Sequence, residues 1–153
     1  MPQINIYTDG SCFPKEKQGT WAAIIIIEKQ ETIIKGQECD TNHNRMELTA
    51  AIKALDYILV NKIKFSSLNL YSDSQYLVNI PERKSRLLSN DFITKKGKKI
   101  QNYDLVEMLL NQIQHYQVNF LKVKAHQKQG IEKNYNRVVD KIVRADLRAI
   151  KFP

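Results

Sequence analysis

The chain has 153 residues, 42% of them hydrophobic and 26% charged. That suits one folded domain spanning 1–153 and excludes a disordered or fibrous chain. A formal net charge of +8 and a pI near 9.5 favour a polyanionic partner such as nucleic acid, because basic side chains gain affinity by releasing counterions from phosphates. The two cysteines, Cys12 and Cys39, form no CxxC pair, which excludes a zinc cluster or a thioredoxin-like centre. With no secretory pattern at the start, and an apolar run at 24–27 far too short to span a bilayer, the expectation is a cytoplasmic protein without membrane contact.

In chain order, residues 3 to 9 alternate. Ile4, Ile6 and Thr8 share one face, and Asn5, Tyr7 and Asp9 the other. This predicts a strand ending at Asp9, followed by a turn-rich stretch over 10–19. Residues 21–28 are rich in isoleucine, which fits a strand buried on both faces. Residues 31–38 read as its hairpin partner, with the turn at 29–30. From 45 to 60 the period changes, and Leu48, Ala51, Ile52, Leu55 and Leu59 fall at helical spacing. Asn42 and Asn44 are both candidate caps, and Glu47 falls in the first turn.

Residues 67–73 mirror the first strand, with Asn69, Tyr71 and Asp73 in the places of Asn5, Tyr7 and Asp9. A short helix is predicted over 74–79, limited by Pro81. The stretch 81–99 carries seven lysines and arginines against two acids, hence +5 of the chain's +8, and few apolar residues. It reads as a loop or a weakly packed segment. A helix over 103–115, with Leu105, Met108, Leu109 and Ile113 on one side, precedes a strand at 118–124. A final helix over 133–150 buries Val139, Ile142, Val143 and Leu147. Three strands, a helix, a strand, helices, a strand and a helix imply a mixed sheet covered by helices.

Four acids stand out by position: Asp9 and Asp73 at strand ends, Glu47 near a helix start, and Asp140 in the last helix. Ligand sites of open α/β sheets collect at the carboxyl ends of strands. If the first and fourth strands are parallel neighbours, Asp9 and Asp73 leave the same end of the sheet. Close carboxylates repel and call for a cation between them. An oxygen-only ligand set favours magnesium or manganese, and two such ions serve to activate water and stabilise a leaving oxygen. Taken singly, each acid also fits a turn, a cap or a solvated charge.

Five blocks then occur in order: Ile6-Tyr7-Thr8-Asp9-Gly10-Ser11-Cys12, Asn44-Arg45-Met46-Glu47-Leu48-Thr49-Ala50-Ala51, Tyr71-Ser72-Asp73-Ser74-Gln75-Tyr76, Val123-Lys124-Ala125-His126 and Asn136-Arg137-Val138-Val139-Asp140. Together they resemble the motifs of type 1 ribonuclease H over nearly the whole chain. The resemblance implies an α/β ribonuclease H-like fold, a five-stranded mixed sheet with its first three strands antiparallel and helices flanking it. It implies a monomeric endonuclease that cuts the RNA strand of RNA–DNA hybrids with two Mg2+ ions, Mn2+ as a substitute, giving 5′-phosphate and 3′-hydroxyl ends. By motif match Asp9, Glu47, Asp73 and Asp140 become metal ligands, and His126 takes the family's role in proton transfer or product release.

The resemblance also assigns substrate contacts to Gly10, Ser11, Cys12, Asn44, Gln75 and Asn102, the last near a DNA phosphate. His43 and His115 are read as ordinary loop histidines. Several positions depart from the family pattern. Phe13-Pro14-Lys15-Glu16-Lys17-Gln18 replaces a glycine-rich turn, with Lys15 a substitute phosphate contact. His43 stands where asparagine is common, Asn42 where a phosphate-binding threonine is common, and Val106 where tryptophan is frequent. A basic handle is shortened to 81–99. The readings to be separated are an active hybrid nuclease, another nuclease of the same superfamily, and a hybrid-binding module without turnover.

Overall fold

The computed structural model describes residues 1–124 and 134–152. Strands β1 (Gln3–Phe13), β2 (Gln18–Ile27) and β3 (Gln30–Cys39) form an antiparallel meander. Helix α1 (His43–Val60) then crosses to β4 (Ser67–Ser72), which pairs parallel with β1. Two short helices, α2 (Gln75–Asn79) and α3 (Lys84–Ser89), flank a 3-10 turn at Pro81–Arg83 and lead to α4 (Tyr103–His115). Strand β5 (Asn119–Lys122) adds parallel to β4, and α5 (Tyr135–Arg148) closes the described chain. The sheet order is β3-β2-β1-β4-β5, so the mixed sheet with its three antiparallel strands matches the sequence expectation.

The two faces of β1 go to different helices, as its alternation requires. Ile4 and Ile6 meet Leu48, Ala51, Leu55 and Ile58 of α1 in the larger core, which continues into α4 through Val106, Leu109 and Leu110. The opposite face puts Tyr7 with Ala22 and Ile24 against Val139 and Val143 of α5, and the Thr20 hydroxyl donates to the Val143 carbonyl at 2.8 Å. β2 is buried almost throughout, as its run of isoleucines predicts. Among the described residues no helix is long and apolar enough to cross a membrane.

Several expectations are corrected. β1 does not end at Asp9 but runs four residues further, because 9–13 pair with 18–22 of β2, so the turn-rich stretch shrinks to 14–17. The β2–β3 turn lies at Glu28-Lys29, both with positive φ (48° and 71°), rather than at 29–30. That geometry matches the twist of a two-residue hairpin. α1 starts at His43, capped by the Asn42 side chain accepting from the Arg45 amide at 2.9 Å, so Asn44 is not the cap and Glu47 lies one turn in. The 81–99 segment is not a bare loop. It holds the 3-10 turn and α3, and Leu87 and Phe92 are buried. Leu59 and Met108 are each 50% exposed, since Leu59 falls in the last turn of α1 and the buried stripe of α4 is Val106, Leu109 and Leu110 instead.

β1 and β4 pair in register from Gln3↔Ser67 to Tyr7↔Tyr71 and no further. On the α5 side of the sheet this shared stretch carries side-chain ladders. The Asn69 amide donates to Asn5 Oδ1 at 3.1 Å, and the Asn119 amide to Asn69 Oδ1 at 3.0 Å. On the last rung Tyr7 and Tyr71 stack, with centroids 4.6 Å apart and planes within 10°. Beyond that rung the strands part. The fork they leave is the crevice at the carboxyl ends of the parallel strands, next to the reversal of strand direction between β1 and β2.

Candidate active site

Asp9 lies two residues past the last shared rung of β1, and Asp73 two past that of β4, directly after the strand. Asp73 is held in a tight turn in which the Ser74 amide donates to Ser72 Oγ at 3.0 Å, and Ser74 Oγ in turn caps α2 by accepting from the Leu77 amide. Glu47 comes from α1, on the other side of the sheet. It reaches the fork because Gly10 has no side chain: a Cβ there would sit 2.5 Å from the Met46 carbonyl carbon and 2.7 Å from the Glu47 amide nitrogen. The Gly10 amide then donates to Glu47 Oε1 at 3.2 Å. Gly10→Ala is therefore expected to destabilise the protein by roughly 2–3 kcal/mol, as overpacking between backbones does. A fall in melting temperature would show it, and an unchanged value would mean α1 sits farther from β1 than described.

The result is a trio of carboxylates, Asp9, Glu47 and Asp73, whose ligand oxygens all lie within 4.8 Å of one another. Asp9 is 5% exposed and Glu47 only 1%. Burial comes first in raising both. Asp9 is pushed up to about 7 by desolvation and then by the Asp73 charge, while Glu47 is raised well above its ordinary value by desolvation and then by Asp9. Glu47 Oε2 is buried without a donor. An orphaned buried acceptor among mutually repelling carboxylates is what a divalent cation satisfies, and a donor set made only of oxygens fits a hard ion. The residues present thus fit a hard divalent cation.

Asp140 lines the same cavity of about 310 Å3, together with Ser11, His43, Ser74 and Arg144. It stands outside the tight trio, adds to the field that raises Asp9, and is paired with Arg144, whose Nε lies 3.3 Å from its Oδ1. A cleft of similar size between α1 and α4, lined by Met46, Thr49, Ile52, Met108 and Gln112, holds no such cluster of metal-binding groups among the described residues.

The whole chain is matched in kind by known proteins. The RNase H family model covers residues 1–148. The chain belongs to the ribonuclease H family. The ribonuclease H of Moorella thermoacetica is 35% identical over 153 residues, 99% of this chain and 95% of that protein. That of Chlorobium limicola is 34% identical over 148 residues, 95% of this chain and 96% of its own. Among solved structures, the chain is similar to LC9-RNase H1, a type 1 RNase H with the type 2 active-site motif, with a TM-score of 0.81 at 19% identity, over 97% of this chain and 73% of that one. It is also similar to a foamy viral protease-reverse transcriptase in complex with dsDNA, with a TM-score of 0.74 at 18% identity, over 96% and 95%. At those identities the structures speak for the fold. The protein is a ribonuclease H enzyme, a nuclease of the hydrolase class.

Within this ribonuclease H, the other sequence candidates fall in several places. Gly10 and Ser11 line the acidic cavity. Cys12 is partly buried, its thiol pointing to the Phe13 and Thr41 carbonyls. Gln75 opens α2, exposed, and donates to Asn79 Oδ1 at 2.7 Å. Asn44 lies in the first turn of α1. Asn102 is buried in the left-handed region (φ 62°) and accepts from the Asn42 amide at 3.1 Å. That contact is braced by a two-pronged Arg45–Asp104 pair at 2.8 and 2.9 Å. His126 lies outside the described residues. Sequence reasoning set His43 aside as ordinary and did not single out Ser74 or Arg144, and all three line the cavity. His43 stands with Nε2 3.6 Å from Glu47 Oε1, and Arg144 pairs with Asp140; both follow from an i,i+4 spacing to an acid already singled out.

Proposed function

We propose that this protein is an endonuclease that hydrolyses the RNA strand of RNA–DNA hybrids, with Asp9, Glu47, Asp73 and Asp140 holding two divalent ions, magnesium with manganese as a substitute. The observation that carries this reading is the trio within 4.8 Å, two of its members buried, with an orphaned Glu47 oxygen and Asp140 across the same cavity. When bound, such ions supply the charge that lets water attack phosphorus and that stabilises the departing oxygen.

The chain's own groups supply the rest. The Gly10 amide fixes the Glu47 carboxylate, the Ser72–Ser74 turn fixes Asp73, and Arg144 fixes Asp140. Water's oxygen bonds to phosphorus, the bond from phosphorus to the 3′ oxygen breaks, and that oxygen takes a proton. The products carry a 5′-phosphate and a 3′-hydroxyl. His126 serves proton transfer or product release. Gly10, Ser11, Cys12, Asn44 and Gln75 contact the hybrid at its groove and sugars, where shape and hydroxyls rather than base sequence are read, and Asn102 lies at a phosphate of the DNA strand. The protein acts as a monomer in a reducing, cytoplasmic setting, where Cys12 and Cys39 stay free thiols.

The test is cleavage of a labelled RNA–DNA hybrid in magnesium, beside duplex RNA and duplex DNA. Cutting of the hybrid's RNA strand alone is expected. Hybrid binding without cutting in either magnesium or manganese would overturn the reading in favour of a binding module.

A further inference from the structure

The exposed face of α5 carries a row of cations that neither the fold nor the trio requires. Val139, Val143 and Leu147 face the sheet and are buried. On the opposite side Arg137, Lys141, Arg144 and Arg148 recur at i, i+4, i+7 and i+11, the spacing of a single helical stripe. Every consecutive pair is a like-charge pair three or four residues apart, an arrangement that destabilises a helix. Arg137 also stands in the first turn, which holds no acid, where the helix dipole disfavours a cation. The acids of α5 offset only one member of the row: Asp146 is engaged by Lys35 at 3.2 Å, and Asp140 pairs with Arg144. Among the described residues no carboxylate forms an ion pair with Arg137, Lys141 or Arg148.

A stripe of this kind is unfavourable for the isolated helix and favourable against a line of negative charge. One member decides where that line runs. Arg144 lines the acidic cavity itself, so the stripe passes the edge of the reaction site and extends to both sides of it. Resting on the functional reading above, we propose that the outer face of α5 is a phosphate track for the hybrid beyond the cleavage point. The sugar–phosphate backbone that presents its scissile group at Asp140 continues along Arg137, Lys141 and Arg148. From Arg137 to Arg148 the helix rises about 16 Å, and with one phosphate per about 3.4 Å of axis in each strand that distance covers roughly four to five nucleotides. The track lengthens the footprint without touching the carboxylates.

The experiment uses a combined Arg137→Gln, Lys141→Gln and Arg148→Gln variant with Arg144 intact, since glutamine keeps helix propensity. Affinity is measured with EDTA present, so that nothing is cut, for a long hybrid and for one just filling the cavity, across a range of salt. The long hybrid is expected to bind at least tenfold more weakly at moderate salt. The slope of log affinity against log salt should become shallower by about two to three, close to one per lost phosphate contact. Affinity for the short hybrid and its turnover in magnesium should not change. An unaltered slope and affinity for the long hybrid would overturn the track, as would an equal loss with the short one. If the unaltered protein binds hybrid and cuts nothing, the reading of the reaction fails, while the binding comparison still decides the track.

Discussion

Asp9→Asn and Glu47→Gln are each expected to reduce hybrid cleavage by at least about a thousandfold and, at the same time, to raise the melting temperature of the metal-free protein. The loss of rate follows from removing a charged oxygen from a trio confined within 4.8 Å. Charge stabilisation by a bound ion is worth several kcal/mol in such reactions, and each 1.36 kcal/mol is about tenfold in rate. The gain in stability has the opposite cause. Without metal, the folded chain holds the Asp9 and Glu47 carboxylates buried and close to a third acid, and both bind protons more tightly than exposed acids do.

A neutral amide of the same shape removes that repulsion and keeps an oxygen in place, so at Glu47 the Gly10 amide retains its acceptor. For a chain of this length about 2–4 °C accompanies each kcal/mol, so a gain of roughly 5 °C or more at pH 8 is expected. Thermal unfolding in EDTA and cleavage in magnesium, run on the same preparations, check both halves. A variant that loses activity and also melts lower would show that the carboxylate serves the fold rather than opposing it.

Why the site was visible in the sequence and parts of the fold were not has a physical reason. Asp9 and Asp73 announce themselves because two strands repeat the same alternation and each brings its acid to the same face; the in-register ladder of Asn5 with Asn69 and Tyr7 with Tyr71 is that repeat made three-dimensional. The helices over 45–60 and 103–115 were legible from their period, although the second buries Val106 and Leu110 rather than Met108. The end of β1 was not, because residues 10–13 hold no alternation of their own and are strand only through pairing with β2, a partner local pattern does not reveal. The 81–99 segment misled in another way. Its charge hides two apolar anchors, Leu87 and Phe92, that pin it to the main core. Glu47 reaches the trio by way of a missing side chain at Gly10, and no spacing rule shows that until α1 is laid against the sheet.

The same buried carboxylates predict how stability responds to pH when metal is withheld. Asp9 titrates at an ordinary value of 3.8 in the unfolded chain and at about 7 in the folded one. The folded state therefore holds more protons between those limits, and stability falls as pH rises across that window until the loss is complete above about 7. Three units correspond to roughly 4 kcal/mol, or about 8–16 °C in melting temperature for a chain of this size. Glu47 acts in the same direction. The Arg45–Asp104 pair acts in the other, because Asp104 is held below its ordinary value by the arginine, but its contribution is lost only at pH below about 4, outside a scan from pH 4.5 to 8. In EDTA the melting temperature should decline across that scan. In magnesium the decline should shrink or vanish, because an ion that binds the ionised carboxylates stabilises the folded state by mass action, and does so most where protons no longer compete. The increment due to magnesium should thus be small at pH 5 and largest at pH 8. A melting temperature in EDTA that stays level from pH 5 to 8 would mean that the three carboxylates are solvated and independent, and would remove the electrostatic argument for an ion among them.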